Sequence, residues 1–192
     1  LRFMSQVLRA SVGADGAAQA GLLERLYESS GITTRHSVLA DYALEDPAGF
    51  EFFPKNWPLE PFPGTARRME AFERWSVGLA ETAARAALKQ AGFSGAEVTH
   101  LILATCTGFF APGPDIVLLE RLGLRAGVQR SLIGFMGCYA GFSAMKAAKD
   151  AVAADPAAVV LVVSVELCTL HFQKRPLPDF MGFIEENSLS QY

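Results

Sequence analysis

Val128-Gln129-Arg130-Ser131-Leu132-Ile133-Gly134-Phe135 runs without a break into Met136-Gly137-Cys138-Tyr139-Ala140-Gly141-Phe142, and an alanine-rich stretch continues to Ala154. The first eight residues predict a strand, and the periodicity from Tyr139 to Ala154 predicts a helix. Asp155-Pro156 supplies a turn. Ala157 to Val165 is then apolar but for Ser164, as suits a strand covered on both faces. Strand, helix and apolar strand in succession point to a parallel or mixed sheet with helices on its faces. The expected fold class is α/β. The apolar face of the helix is expected to include Phe142, Met145 and Val152 and to lie against the strands near Val98–Thr105 and Ala157–Val165.

The same pattern extends upstream. Val98 to Thr105 reads as a further buried strand, and Pro112-Gly113-Pro114-Asp115 breaks the chain before a short helix, Ile116 to Leu122, with Asp115 as its cap. A long helix is expected from Ala66 to Gln90, capped by Thr65 and stopped at Gly92, with Ala71, Ala80, Ala83, Ala84 and Ala87 allowing close packing on a sheet. Before it, Asp46 to Thr65 is a long connection rich in proline and aromatics, including Phe50, Phe52, Phe53 and Trp57. Such a segment is either functional or an ordered cover for the core. Ile32 to Leu39 alternates enough to predict a short strand, and Gly16 to Ser30 a helix with Leu22, Leu23, Leu26 and Tyr27 on one face.

Composition narrows the function classes. In 192 residues, 51% are hydrophobic, enough for a sizeable core. Seventeen Lys and Arg against 20 Asp and Glu give a net charge of -3, which offers no electrostatic case for nucleic acid or an anionic membrane. The longest apolar run, Ala157 to Val163, is strand-sized rather than membrane-spanning. Leu1 to Gln6 lacks the pattern of a secretory signal, so a cytoplasmic protein is expected. Three cysteines (Cys106, Cys138 and Cys168) without a CxxC argue against a disulfide framework, and no metal site is expected.

Cys138 carries the chemistry. A free thiol has a pKa near 8.5, so only a small share is thiolate at neutral pH. The N–H groups and positive dipole end at a helix start favour the anion. Gly137 permits a sharp turn, Gly141 with Ala140 permits close approach of other backbone, and the Cys138 amide could donate to a developing oxyanion. The placement equally suits a small buried hydrophobe at a strand-to-helix junction.

The segment Gly137-Cys138-Tyr139-Ala140-Gly141-Phe142-Ser143-Ala144 resembles the active-site segment of type III polyketide synthases, the chalcone-synthase-like branch of the thiolase superfamily. Three further segments resemble that family in the same order: Ser30-Gly31-Ile32-Thr33-Thr34-Arg35-His36, Thr105-Cys106-Thr107-Gly108 with Pro112-Gly113 and Asp115, and Val165-Glu166-Leu167-Cys168-Thr169-Leu170-His171-Phe172. The likeness covers about Leu22 to Gln173. It implies a thiolase-like layered α-β-α architecture, one half of a five-layer α-β-α-β-α fold, in a homodimer. It implies an acyltransferase in which Cys138 is loaded from an acyl-CoA and extended by decarboxylative Claisen condensation with malonyl-CoA. CoA thioesters are then substrates, and no cofactor is expected.

The resemblance also distributes the other roles. Cys106, Thr107, Cys168 and His171 fall on pocket-lining positions for the acyl chain, with ordinary packing as the alternative for each. For His171 the third possibility is a general base paired with Cys138. Arg35 matches a position for a cation near CoA phosphates, which a guanidinium fork suits, with a solvated surface charge as the alternative. His36 reads as a surface or structural residue, His100 as a structural histidine and Glu166 as structural. Ala111 falls where relatives carry a larger residue that crosses into the partner subunit's pocket.

The family completes its site with a His and an Asn from the second half of its fold, and these have no counterpart in this sequence. After Gln173 the pattern departs. Residues 1–174 are therefore expected to form the N-terminal half of a condensing-enzyme domain, and 175–192 a divergent or truncated tail. That half alone is expected to be marginally stable and inactive. The competing functions are a ketoacyl-carrier-protein synthase III-like enzyme and a catalytically dead scaffold fragment.

Overall fold

Three parallel strands set the architecture. The computed structural model describes residues 1–11 and 14–173, and in it β1 (His100–Thr105) pairs on one side with β2 (Gln129–Gly134) and on the other with β3 (Val160–Ser164), in the order β2-β1-β3. Each strand is short because the chain breaks at both ends. β1 begins after the Ser94–Glu97 capping turn and ends at the Cys106-Thr107-Gly108 segment. The expected strands at Val98, Val128 and Ala157 are present, each starting one to three residues later than the apolar pattern suggests. The expected tail, residues 175–192, lies outside the described residues.

The chain divides into two compact units, residues 1–67 with 171–173 and residues 68–170. In the second unit, the alternation of β1 sorts its side chains into two layers. Leu101 and Leu103 join Val77, Ala80, Ala84 and Leu88 of α3 (Thr65–Ala91), Leu118 and Leu122 of α4 (Pro114–Leu122), and Leu161 and Val163 of β3 in one core. Ile102 and Ala104 face the opposite way, onto Ala140 and Ala144 of α5 (Ala140–Ala154). Helices therefore cover both faces of the sheet, the α-β-α layering that the sequence predicts. Gly92 and Gly123, with φ of 77° and 65°, take the left-handed conformation that ends α3 and α4.

Packing corrects two readings of helix faces. α5 meets the strands through Ala140 and Ala144, with Ala147 and Ala148 partly buried beside them, whereas Phe142 is 74% exposed and Met145 and Val152 are exposed with it. Alanine lets a helix approach a sheet closely, so size was the wrong guide to which face is inward. On α3 the buried row is Phe72, Ser76, Val77, Ala80, Ala84 and Leu88, while Ala83 and Ala87 face outward. A third correction concerns Asp115. It lies in the first turn of α4 without capping it, Gly113 being the N-cap, and instead forms an ion pair with Arg130.

In the first unit, α1 (Arg2–Ser11) packs against α2 (Ala14–Ser29). The predicted apolar face of α2 is not buried, since Leu22 and Leu26 are exposed. Nor does Ile32 to Leu39 form a strand; it is irregular and has no ladder partner among the described residues, without which alternation cannot make a sheet. The aromatic connection behaves as an ordered cover. Phe50, Phe52 and Phe53 are buried, and the rings of Phe3, Tyr42, Phe50, Phe53 and Trp57 cluster with centroids 4.4–6.0 Å apart. Burial pushes the Tyr42 phenol well above its ordinary range, with Tyr27 and Asp41 adding to it.

One carboxylate holds this loop. Asp41 is 1% exposed, and its oxygens accept the backbone N–H groups of Glu51 (3.0 Å), Phe52 (3.0 Å) and Phe53 (2.8 Å). Asp41→Ala would orphan three donors, two of them buried, each worth roughly 1–3 kcal/mol. Chemical denaturation of this variant should show a loss of about 3 kcal/mol or more. A loss under about 1 kcal/mol would contradict the role assigned to Asp41.

Candidate functional site

Thr105, the last residue of β1, pairs in register with Gly134, the last of β2, and Ala104 pairs with Ser164, the last of β3. The carboxyl ends of the three strands thus lie side by side, where open α/β sheets place their ligands. Each strand delivers a cysteine just beyond its end: Cys106 from β1, Cys138 from β2 and Cys168 from β3. The sheet, rather than any local sequence motif, gathers them.

The path from β2 to α5 is a tight double bend. Phe135 has φ of 61° and Gly137 of 64°. A left-handed conformation suits Gly137 but is uncommon for an aromatic residue, and such backbone concentrates at functional sites. Gly137–Tyr139 then forms a single 3₁₀ turn that runs directly into α5, with the Ala140 N–H donating to the Gly137 carbonyl. Cys138 sits in this turn and is exposed. Its neighbour Ala140 is buried, and the Tyr139 side chain makes no capping hydrogen bond at the helix start. The expectation of a cysteine beside the first turn of a helix is met.

Cys106 approaches the same turn from β1. Its Sγ lies 3.5 Å from the Gly137 carbonyl oxygen, to which it donates. Its own N–H donates to both oxygens of Glu166, at 2.8 and 3.0 Å. The Thr107 hydroxyl donates to the same carboxylate (2.7 Å) and accepts the Leu167 N–H (2.8 Å). Glu166 and Thr107 therefore buckle the end of β1 to the segment after β3. This is the structural role read for Glu166, with its partners now named.

Burial and charge act on two of the thiols. Partial burial pushes the Cys106 thiol up, the Glu166 carboxylate pushes it further, and the backbone N–H groups of Met136, Gly137 and Phe135 pull it part of the way back. Desolvation likewise raises the Cys168 thiol, followed by the charges of Glu166, Cys138 and Cys106.

Arg35 and His171 belong to the first unit. The Arg35 guanidinium stacks 4.0 Å over the Tyr27 ring, and its nitrogens donate to Ser30 Oγ (3.2 Å) and the Ile32 carbonyl (3.4 Å). His171 closes the short turn Cys168–His171. His36 is exposed, and His100 Nδ1 lies 2.7 Å from Thr99 Oγ1, a satisfied structural histidine. Among the described residues no group of three or more His, Cys, Asp or Glu could hold a metal ion, and no helix is long and apolar enough to cross a membrane.

The sequence profile for "Chalcone and stilbene synthases, N-terminal domain" matches residues 2–181. The chain belongs to the chalcone and stilbene synthase family. Among its relatives, an alpha-pyrone synthesis polyketide synthase-like protein of Mycobacterium tuberculosis is 38% identical over 152 residues, covering 78% of this chain and 36% of the relative. Among solved structures, the 1,3,6,8-tetrahydroxynaphthalene synthase of Streptomyces coelicolor, a bacterial type III polyketide synthase, superposes with a TM-score of 0.73 at 26% identity, covering 98% of this chain and 48% of that one. A protein named CsyB, solved in complex with CoA, gives a TM-score of 0.69 at 25% identity over 88% of this chain and 43% of its own. The chain thus spans less than half the length of these chalcone-synthase-like relatives, and its α/β architecture is the corresponding part of their thiolase-like fold.

Sequence reasoning missed the contact that shapes the Cys106–Gly108 turn. A Cβ added to Gly108 would fall 2.1 Å from Cγ of the fully buried Phe72. Gly108→Ala should therefore displace the turn and cost roughly 1–3 kcal/mol. Combined with Phe72→Leu, it should cost clearly less than the sum of the two single changes, because the smaller side chain vacates the clash. Additive losses in thermal or denaturant unfolding would show that the ring does not constrain Gly108.

Proposed function

We propose that this chain carries the acyl-loading nucleophile of a type III polyketide synthase, and that the nucleophile is Cys138. The observation that supports this most is its position: exposed, on a left-handed bend between a parallel strand and the uncapped start of a 15-residue helix. Backbone donors and the helix dipole favour negative charge there. Thioester exchange needs a group that attacks well and leaves well, and a thiolate does both.

In this reading the Cys138 sulfur attacks the carbonyl carbon of an acyl-CoA. The carbon–sulfur bond to CoA breaks as the bond to Cys138 forms, and CoA leaves as its thiolate. Malonyl-CoA then loses carbon dioxide, and the resulting carbanion attacks the acyl-enzyme carbonyl and displaces Cys138. By the family resemblance, Cys106, Thr107, Cys168 and His171 are assigned to the acyl chain and Arg35 to the CoA phosphates. CoA in the solved complex of a relative supports the choice of donor. The His and Asn that the family uses for decarboxylation come from the remaining part of its fold. That part would pack on the apolar surface of the second unit, where Phe135, Met136, Phe142 and Met145 are exposed. The complete enzyme is then a cytoplasmic homodimer that uses no cofactor.

Hexanoyl-CoA incubated with the protein should add one acyl group by intact mass, and peptide mapping should find it on Cys138. Cys138→Ala should abolish the adduct. The 192-residue chain alone should release no carbon dioxide from malonyl-CoA above that variant. An adduct that survives Cys138→Ala, or sustained decarboxylation by the 192-residue chain, would overturn this assignment.

A further inference from the structure

Three thiols at the ends of three adjacent strands pose a chemical problem. An acyl group on one of them could pass to either of the others, because thiol–thioester exchange is close to neutral in energy. In such a transfer the second sulfur attacks the acyl carbon, its proton passes to the departing sulfur, and the carbon–sulfur bond to the first cysteine breaks. Nothing is oxidised, and no further reagent is required. The rate depends on how much of the attacking group is thiolate.

One side chain is placed to control this. Glu166 is the only acidic residue bonded to the segments that bear these cysteines among the described hydrogen bonds. Its carboxylate accepts the Cys106 N–H through both oxygens and the Thr107 hydroxyl through one. Through Thr107 it also fixes the Leu167 N–H, one residue before Cys168. We infer that Glu166 is a positioning residue that confines the acyl chain to Cys138, by locking Cys106 and Cys168 in place and setting a fixed negative charge beside both. The inference rests on the reading of Cys138 as nucleophile.

The groups facing the two thiols agree with this. Around Cys106 they are Glu166, Cys168 and the backbone N–H groups of Met136, Gly137 and Phe135; around Cys168 they are Glu166, Cys138, Cys106 and its own backbone N–H, which lowers the thiol against the other three. No cation is among them. A carboxylate disfavours a neighbouring thiolate, so each of these two cysteines stays protonated to higher pH than an ordinary thiol. A proton retained on sulfur makes it a poor nucleophile toward the thioester. The small cysteine side chains remain in place without competing for the acyl group.

The test reads alkylation rates at each cysteine. Iodoacetamide labelling of the protein is followed against pH with peptide mapping, for wild type, Glu166→Gln and Glu166→Asp. Glutamine keeps the shape and removes the charge, so Cys106 and Cys168 should alkylate roughly three- to tenfold faster near pH 8, with their pH midpoints moved down. Aspartate keeps the charge and should restore the wild-type midpoints at least in part. A merely structural loss would not move a midpoint in this charge-dependent way. After hexanoyl-CoA loading, Glu166→Gln should carry acyl groups on Cys106 or Cys168, where wild type carries them on Cys138 alone.

Wild-type protein supplies a second measurement if the glutamine variant does not fold. Salt screens the same charge, so raising ionic strength should lower the midpoints of Cys106 and Cys168. Midpoints that respond to neither the glutamine change nor salt would overturn the role of Glu166. Failure of Cys138 to acylate in wild type would instead overturn the proposed nucleophile, and the alkylation profiles would still decide on Glu166.

Discussion

Parallel pairing of β1 with both neighbours is the constraint from which the rest follows. Parallel strands all point the same way, so their carboxyl ends share one edge of the sheet. The registers Thr105 with Gly134 and Ala104 with Ser164 bring those ends level. Segments bearing cysteines 32 and 30 residues apart in sequence are thereby delivered to that one edge without any covalent link. The β1 ladder also carries the cores that hold the site: Leu101 and Leu103 toward α3 and α4, Ile102 and Ala104 toward α5.

Close approach is bought with small residues at two points. Ala140 and Ala144 let the start of α5 lie on the strand carrying Ala104, which fixes where Cys138 can be. Gly108 lies against the ring of Phe72, which fixes the turn carrying Cys106 and Thr107. The reactive end of the sheet is thus defined by backbone approach and by one carboxylate buckle, Glu166 to Cys106 and Thr107, rather than by large interlocking side chains.

Much of this was legible in the sequence. Apolar runs of strand length separated by helical periodicity predicted the three strands and α3, α4 and α5 to within a few residues, because buried parallel strands have little freedom in composition. The glycine-flanked cysteine at the strand-to-helix junction was visible for the same reason. Three things were not. The inward face of α5 belongs to alanines, and the hydrophobicity of Phe142, Met145 and Val152 pointed outward instead. The alternation of Ile32 to Leu39 suggested a strand, but strand formation depends on a partner that local sequence cannot name. Asp115 is a helix-start acid whose preferred partner proved to be Arg130, 15 residues away. Each miss concerns a choice of partner made by tertiary structure after the local pattern is satisfied.

The claim on which the account turns is that the sheet brings Cys138 beside Cys106 and Cys168. Dibromobimane, which becomes fluorescent only on bridging two neighbouring thiols, tests it directly in the native protein. The account predicts a fluorescent product whose peptides join Cys138 to Cys106 or to Cys168, lost in Cys138→Ala and lost on unfolding before labelling. Singly labelled cysteines alone, under conditions in which all three react, would contradict it.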